Sequence, residues 1–195
     1  MRQGVQVVLV RQVHRRLELL TRLTEALRVC STACRLASSR KELALEICRA
    51  LSEGGAFQFT TIWEPVSGDL LRPLACAGLR PGTSLPEHVP ARPSGAEDQS
   101  AVARAFNSQE TVIVSDLATD GRIPKFRAFG LAQGVLSVMA IPLSGACAGE
   151  VLVVTSPQED FFKGEALSLV AAIATDFETA CAAFQAAERS VRIDA

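Results

Sequence analysis

The sequence is poor in metal ligands. Only two histidines occur, His14 and His88, far apart along the chain. A structural zinc would have to rely on scattered thiols, so neither a metal nor a haem is expected. None of the six cysteines (Cys30, Cys34, Cys48, Cys76, Cys147, Cys181) forms a Cys-x-x-Cys pair. The chain also lacks the short, loop-rich character of a disulfide scaffold. Cys30, Cys34, Cys48 and Cys181 stand in apolar helical patterns and read as small buried hydrophobes in a reducing cytosol. An excess of one charge is missing too: 20 Lys and Arg against 21 Asp and Glu leave a net charge of −1. No global field would draw this chain to nucleic acid or to an anionic membrane, although a local excess of donors could still serve a small anion. The apolar start, Val5 to Val10, is broken by Arg11, Arg15 and Arg16. It is too short for a span and lacks a small-residue cleavage site, so the expectation is a cytoplasmic protein with no membrane partner. No Gly-rich phosphate loop with a lysine and no zinc-protease motif appears. No catalytic residues are assigned, and the expectation is that the chain is not an enzyme.

What is present is enough apolar sequence, 48% against 21% charged, for one globular domain with helical extensions. From about Val10 to Cys34, Val10, Val13, Leu17, Leu20, Leu27 and Cys34 form one apolar row. Leu19, Leu23, Ala26 and Cys30 form an adjacent one, giving an amphipathic helix with a broad stripe. Ser39 to Glu42 reads as a capping box opening a second helix, which Gly54-Gly55 stop. Phe57 to Trp63 is aromatic and β-branched, hence a strand, and Pro65 to Asp69 is turn chemistry before a return strand, Leu70 to Ala77. The Pro-rich stretch from Gly78 to Gly95 reads as irregular loop. Ser94 to Glu97 repeats the capping box and is expected to open a helix through Val102 and Phe106. Thr111 to Val114 is a short strand, and Pro124 suits the first turn of a small helix that Gly134 ends. Val135 to Leu143 and Glu150 to Thr155 make a second hairpin. A long helix closes the chain from Gly164 to about Arg189. Hairpins joined in this order predict an α+β architecture with a mostly antiparallel sheet.

That order, with these local sequences, resembles the GAF family. The carrying fragments are Phe59 to Gly78 (FTTIWEPVSGDLLRPLACAG), Thr111 to Leu117 (TVIVSDL), Gly134 to Leu143 (GVLSVMAIPL) and Gly149 to Thr155 (GEVLVVT), followed by Phe161-Phe162, Glu165 and the alanine-rich closing helix. The resemblance covers roughly residues 38–184. It implies a central antiparallel sheet of five or six strands, with the terminal helices on one face. On the other face, loops and short helices would roof a ligand pocket. It further implies a regulatory sensor domain that relays binding to an output domain, a diguanylate cyclase or histidine kinase being usual company. The sequence departs from several branches of the family: the Asn-Lys-Phe-Asp-Glu signature of cyclic-nucleotide-binding phosphodiesterases is absent, and the roof holds no histidine for haem or bilin. Cys76 and Cys147 do not match the spacing expected of members that reduce methionine sulfoxide.

The candidate ligand-binding residues are Asp116, Leu117, Ala118, Thr119, Arg122, Phe126, Phe129, Ser137 and Met139. The helix beginning at Pro124 aims free N–H groups at the Asp116–Ile123 loop, and Arg122, Lys125 and Arg127 add donors. A cyclic nucleotide such as cAMP or cGMP is the first-choice ligand on this reading; the competing one is that these basic groups solvate a surface helix. Phe126 and Phe129 are either a stacking surface or anchors of the roof. Ser137, Met139 and Ile141 share one face of their strand, and a serine there either borders a pocket or bonds a neighbouring carbonyl.

The final helix carries a three–four seam, Leu167, Val170, Ala174, Phe177, Cys181 and Phe184, which suits a partner helix. With the two rows of the first helix it predicts a homodimer through the terminal helices; the alternative is that the seam is spent on the chain's own sheet. The expected organisation is a signalling helix at 1–37, a GAF core at 38–163, and a helix at 164–195 leading to an output domain. The competing function is a ligand-free dimerisation and relay module. No resident cofactor is expected.

Overall fold

The computed structural model describes residues 2–55, 57–67, 69–92, 94–95 and 99–193. In chain order the elements are α1 (Arg2–Leu36), α2 (Arg40–Glu53), β1 (Thr60–Val66), β2 (Leu70–Ala77), β3 (Val89–Pro90), α3 (Ala101–Ser108), β4 (Val112–Val114), α4 (Pro124–Ala132), β5 (Ser137–Pro142), β6 (Val151–Ser156) and α5 (Gly164–Ile193). The six strands form one antiparallel sheet in the order β3-β2-β1-β6-β5-β4. The α+β expectation holds, and the sheet has the larger of the two strand numbers.

Alternation along the strands divides the interior in two, because successive side chains leave a strand on opposite faces. Ile62, Met139, Ile141, Leu152 and Val154 join α1, α2 and α5 in one core. Phe59, Trp63, Val138, Ala140, Val151 and Val153 join α3, α4 and the connecting loops in the other.

Local chemistry explains the element ends and corrects some of the expected ones. At α2 the Ser39 hydroxyl accepts from the Glu42 N–H at 3.3 Å. Glu42 reaches back to the Ser38 N–H, at 2.8 Å, rather than to Ser39. The helix expected from Ser94 begins later: Ser100 caps α3, accepting from the Ala103 N–H at 3.1 Å. Glu97, the other half of that expected box, lies outside the described residues. Strand β1 runs through Pro65 to Val66, where turn was expected. Pairing with β6 ends at Trp63↔Val151, so beyond that point β1 has a free edge on which a proline costs no ladder bond. The Pro-rich loop also contributes a short strand, β3, paired to β2. Gly134, at φ +80°, ends the α4 turn as expected.

The terminal helices overturn the reasoning behind the dimer stripe. Val170, Ala174, Phe177 and Cys181 are all buried in the chain's own helix-side core, with Leu167 and Phe184 packed against it. On α1, Leu23, Ala26 and Cys30 are buried in that core, while Leu17 stays 57% exposed. Val10 and Val13 have side chains outside the described set. Within α5, Gly164–Ala187 has the length and hydropathy of a membrane span, at mean hydropathy 1.4. Its large apolar residues are those that cover the sheet.

Candidate functional site

A cavity of about 240 Å³ opens between the sheet and the α3–α4 side of the molecule. Its floor is built by alternation: Phe59, Thr61 and Trp63 come from β1 and the segment just before it, with Val153 on β6 and Val138 on β5 beside them. Thr61 sits directly opposite Val153 in the β1–β6 ladder, and antiparallel partners share a face. On the roof, α4 brings Phe126 and Phe129 over Phe59. The Phe59–Phe126 and Phe59–Phe129 centroids are each 6.2 Å apart, and Phe126–Phe129 are 5.8 Å apart, tilted or edge-to-face as aromatic quadrupoles prefer. Ser100 to Val102 at the start of α3 close one side, and Leu85, Pro86 and Val89 of the Pro-rich loop close another. Pro86 and Lys125, both exposed, mark the mouth.

Two devices hold the roof. Gly130 on α4 lets Leu117 and Phe126 approach closely: a Cβ there would meet Leu117 Cδ2 at 2.5 Å and Phe126 Cε1 at 2.7 Å. Gln133, buried at the end of α4, accepts a bond from the Arg80 N–H at 3.0 Å, while Arg80 Nη1 donates to the Ala132 carbonyl at 2.7 Å. The Pro-rich loop is thereby fastened to α4, so the two sides of the mouth are joined.

The wall is almost wholly apolar. Among its side chains only Thr61, Trp63, Ser100 and Lys125 carry polar atoms, Trp63 through its indole N–H. The Ser100 hydroxyl is engaged in capping α3, and Lys125 lies at the mouth. Of the other two, Trp63 carries an indole donor, and Thr61, 1% exposed, has an Oγ1 buried without a hydrogen-bond partner.

The expected site residues separate into three groups. Phe126 and Phe129 line the cavity. Leu117 is buried beneath them in the same core, touching the space above Gly130. The rest of the loop lies outside. Asp116 is half-buried and organises its own turn, accepting from the Ala118 N–H at 2.9 Å and the Thr119 hydroxyl at 2.6 Å. The Thr119 hydroxyl and these backbone bonds hold the Asp116 carboxyl below the usual carboxylate range. Arg122 is paired to Asp120, with Nη2 to Oδ2 at 2.6 Å, and also donates to the Ile113 carbonyl at 2.7 Å. Arg127 Nη2 donates to the Asp120 carbonyl. These basic groups knit the roof to β4; Arg122 lines a separate polar cleft with Arg92, Arg104 and Asn107.

The pocket placement of Ser137 and Met139 is corrected outright. Met139 belongs to the helix-side core, and cross-strand pairing sets Ser137 on the same face. The Ser137 hydroxyl donates to the Gln158 carbonyl at 2.7 Å, which is the carbonyl alternative. Thr61, Trp63, Val138 and Val153 were missed. The period-two run Phe59-x-Thr61-x-Trp63 was the available signal.

The six cysteines are all unpaired. Cys30, Cys48, Cys147 and Cys181 are buried in the helix-side core, with Cys34 packed against it. Cys76 stands opposite Thr61 in the β1–β2 ladder, on the cavity face, and burial pushes its thiol up to about 11. Among the described residues no cluster of His, Cys, Asp and Glu is arranged to hold a metal ion.

The family model for the GAF domain matches residues 37–181. The chain belongs to the GAF family. GAF domains are small-molecule-binding regulatory or sensory modules. No curated protein sequence matches the chain. Among solved structures, it is similar to the free methionine-R-sulfoxide reductase from Neisseria meningitidis in complex with its substrate: TM-score 0.67, 15% identity, covering 85% of this chain and 91% of that one. It is similar to the GAF domain from Acinetobacter phosphoenolpyruvate-protein phosphotransferase, at TM-score 0.63 and 15% identity over 86% and 97% of the two chains. A type II free methionine-R-sulfoxide reductase from Thermoplasma acidophilum aligns at TM-score 0.55 and 14% identity over 74% and 93%. At these identities the likeness speaks for the fold alone. It still overturns one expectation: two of these proteins are enzymes built on this fold, so the fold gives no ground for excluding an activity.

Proposed function

We propose that this chain is a sensory GAF domain whose ligand occupies the cavity between Thr61 and the Phe126–Phe129 roof, and whose occupancy is relayed through α1 and α5. The cavity itself carries this reading: a ring-walled hollow next to a sheet whose opposite face is packed by α2 and α5, with α1 laid against both helices. In β1 and the residue before it the side chains alternate between the two sides, Phe59, Thr61 and Trp63 towards the ligand and Thr60 and Ile62 towards the helices. A small shift of that strand would be felt by both. The organisation proposed is a helix at 1–37, a sensing core at 38–163 and a relay helix at 164–195, in a cytoplasmic homodimer that passes the signal to an output domain such as a diguanylate cyclase or histidine kinase. With the α5 seam spent within the chain's own core, the exposed Leu17 and Leu36 on α1 are what supports the dimer.

A cyclic nucleotide draws little support from the geometry. Its phosphate needs converging donors, yet Arg122 and Arg127 are engaged with Asp120 outside the cavity.

The test is a thermal-shift screen of cyclic nucleotides, amino acids and aromatic heterocycles on the full chain. Trp63, the sole tryptophan, lines the cavity and serves as a fluorescent reporter of occupancy. A ligand of the folded form raises the melting temperature by mass action. The expected result is a ligand whose shift disappears in Val153→Phe, which fills the floor. A ligand indifferent to that substitution, or no ligand at all, would overturn the reading.

A further inference from the structure

We infer that the cavity takes a neutral aromatic molecule of about indole size, and that Thr61 selects it through one hydrogen bond. This rests on the sensor reading above and names the chemistry of its ligand. Three observations converge: the volume, the composition of the wall, and one hydroxyl left unsatisfied.

An apolar cavity of 150 Å³ holds one benzene. In proportion, about 240 Å³ holds roughly ten non-hydrogen atoms, a bicyclic ring system rather than a purine nucleotide with its sugar and phosphate. The wall sets the polarity. Phe59, Phe126 and Phe129 form a tilted and edge-to-face aromatic cluster on this wall and Trp63 lines it beside them, a surface on which an aromatic ligand packs favourably. A charged group lowered to the floor would meet no counter-charge there, and an unpaired buried charge is costly, so the inner part of the ligand is uncharged. Substituents can leave only through the mouth, past Pro86 and Lys125.

The hydroxyl supplies direction. Thr61 lies between Phe59 and Trp63 on one face of the strand, roughly 7 Å from each along the backbone. It is 1% exposed and its Oγ1 has no partner. A planar molecule laid along β1 would cover Thr61 and touch the ring on either side. A hydroxyl both donates and accepts, so it can meet an N–H, an O–H or a carbonyl on the ring edge. A ligand with one such group removes the orphan; a pure hydrocarbon leaves it unpaired. Sites built to bond a polar group reject the analogue lacking it far more strongly than apolar pockets reject a missing methylene.

The experiment is titration calorimetry with indole, its hydrocarbon isostere indene, and indole-3-acetate. The proteins are the natural chain and its Thr61→Val, Thr61→Ser and Thr60→Val variants. Valine keeps the shape of Thr61 and removes its hydroxyl, serine keeps the hydroxyl, and Thr60, the next residue along, faces the helices. Indole should bind the natural chain at least tenfold more tightly than indene. The preference should vanish in Thr61→Val and persist in Thr61→Ser and Thr60→Val. Equal affinities for indole and indene, or a preference that survives Thr61→Val, would overturn the role of Thr61. Tighter binding of indole-3-acetate than of indole would overturn the neutral class. If all three probes fail while another compound binds and is lost in Val153→Phe, the ligand class is wrong and the sensor reading stands. If nothing binds at all, both fall.

Discussion

The two faces of this sheet carry different kinds of interior. On the helix side, α2 and α5 press Leu43, Ile47, Leu51, Val170, Ile173 and Phe177 into the interior, and each of these side chains is at most 1% exposed. On the other side the covering elements are short, α3 and α4, joined by loops; Phe126 and Phe129 are only half-buried, and a hollow remains beneath them. Long helices can lay a continuous apolar stripe on a sheet, whereas a one- or two-turn helix offers one or two anchors and leaves gaps between them. The filled face therefore supplies stability, and the unfilled face supplies a place to bind.

The largest effect that would test this contrast is a pair of aromatic truncations. Phe177→Ala opens a cavity in close-packed surroundings and should destabilise the chain by about 3–5 kcal/mol in urea unfolding. Phe126→Ala enlarges a hollow that already exists and should cost only about 1–2 kcal/mol. Equal costs would mean that the two faces are packed alike, and the distinction would fail.

The helix side also holds buried charge. Glu150 is 4% exposed and pairs with Arg40, which bridges it to Glu64. Its second oxygen, Oε2, is buried without a partner. Burial outweighs the Arg40 attraction and lifts its carboxyl to about 7 from an ordinary 4.5. Between those values the folded form binds the proton that the unfolded form has released. Stability is therefore fully present below about pH 4.5, falls as pH rises, and levels off above 7. The expected loss is on the order of 2–3 kcal/mol between pH 4.5 and pH 8. Glu150→Gln should flatten this profile, measured as urea midpoints across the range. A natural chain whose stability rises over the same window would contradict the assignment.

The fold was legible because its signals are local and periodic. The capping serine at 39, Pro124 at a first helical turn, Gly134 after a helix and the period-two strands each fix an element by short-range chemistry. The site was legible only in its roof. Phe126 and Phe129 stand on a helix whose placement follows from Pro124, but a strand buried on both sides gives no hint of which face is hollow. Ser137 and Met139 fit one face of β5 as well as the other by pattern alone, and only the packing of α1, α2 and α5 decides. Arg122 misled for another reason: an arginine near a helix start suits an anion, but Asp120, two residues before it, competes for the same guanidinium.

Arg122 gives the next test. Removing it breaks the pair with Asp120 and the bond to the Ile113 carbonyl. The side chain is 48% exposed, so solvent screening keeps the cost to about 1 kcal/mol. Arg122→Ala should leave binding in the cavity unchanged within calorimetric error. A loss of affinity beyond threefold would bring the Asp116–Ile123 loop back into the site.

The smallest effect is the most discriminating, because it compares two adjacent residues of one type. Thr60 and Thr61 have the same side chain, are both at most 1% exposed, and both carry a hydroxyl with no partner. They differ only in direction. Thr60 pairs with Val154 and Ala77 towards the helices; Thr61 pairs with Val153 and Cys76 towards the cavity. In the unfolded chain each hydroxyl is solvated, so folding loses that solvation without replacing it. Valine has the same shape and no such loss. Each substitution should therefore raise the stability of the ligand-free protein, by roughly 0.5–1 kcal/mol. With ligand present the two must part. Thr60→Val should keep its gain, since nothing enters the helix side. Thr61→Val should forfeit the extra stabilisation that ligand gives the natural chain, so that its melting temperature barely moves on titration. Parallel behaviour of the two variants with and without ligand would show that the Thr61 hydroxyl is a defect of packing rather than a contact kept open for a ligand.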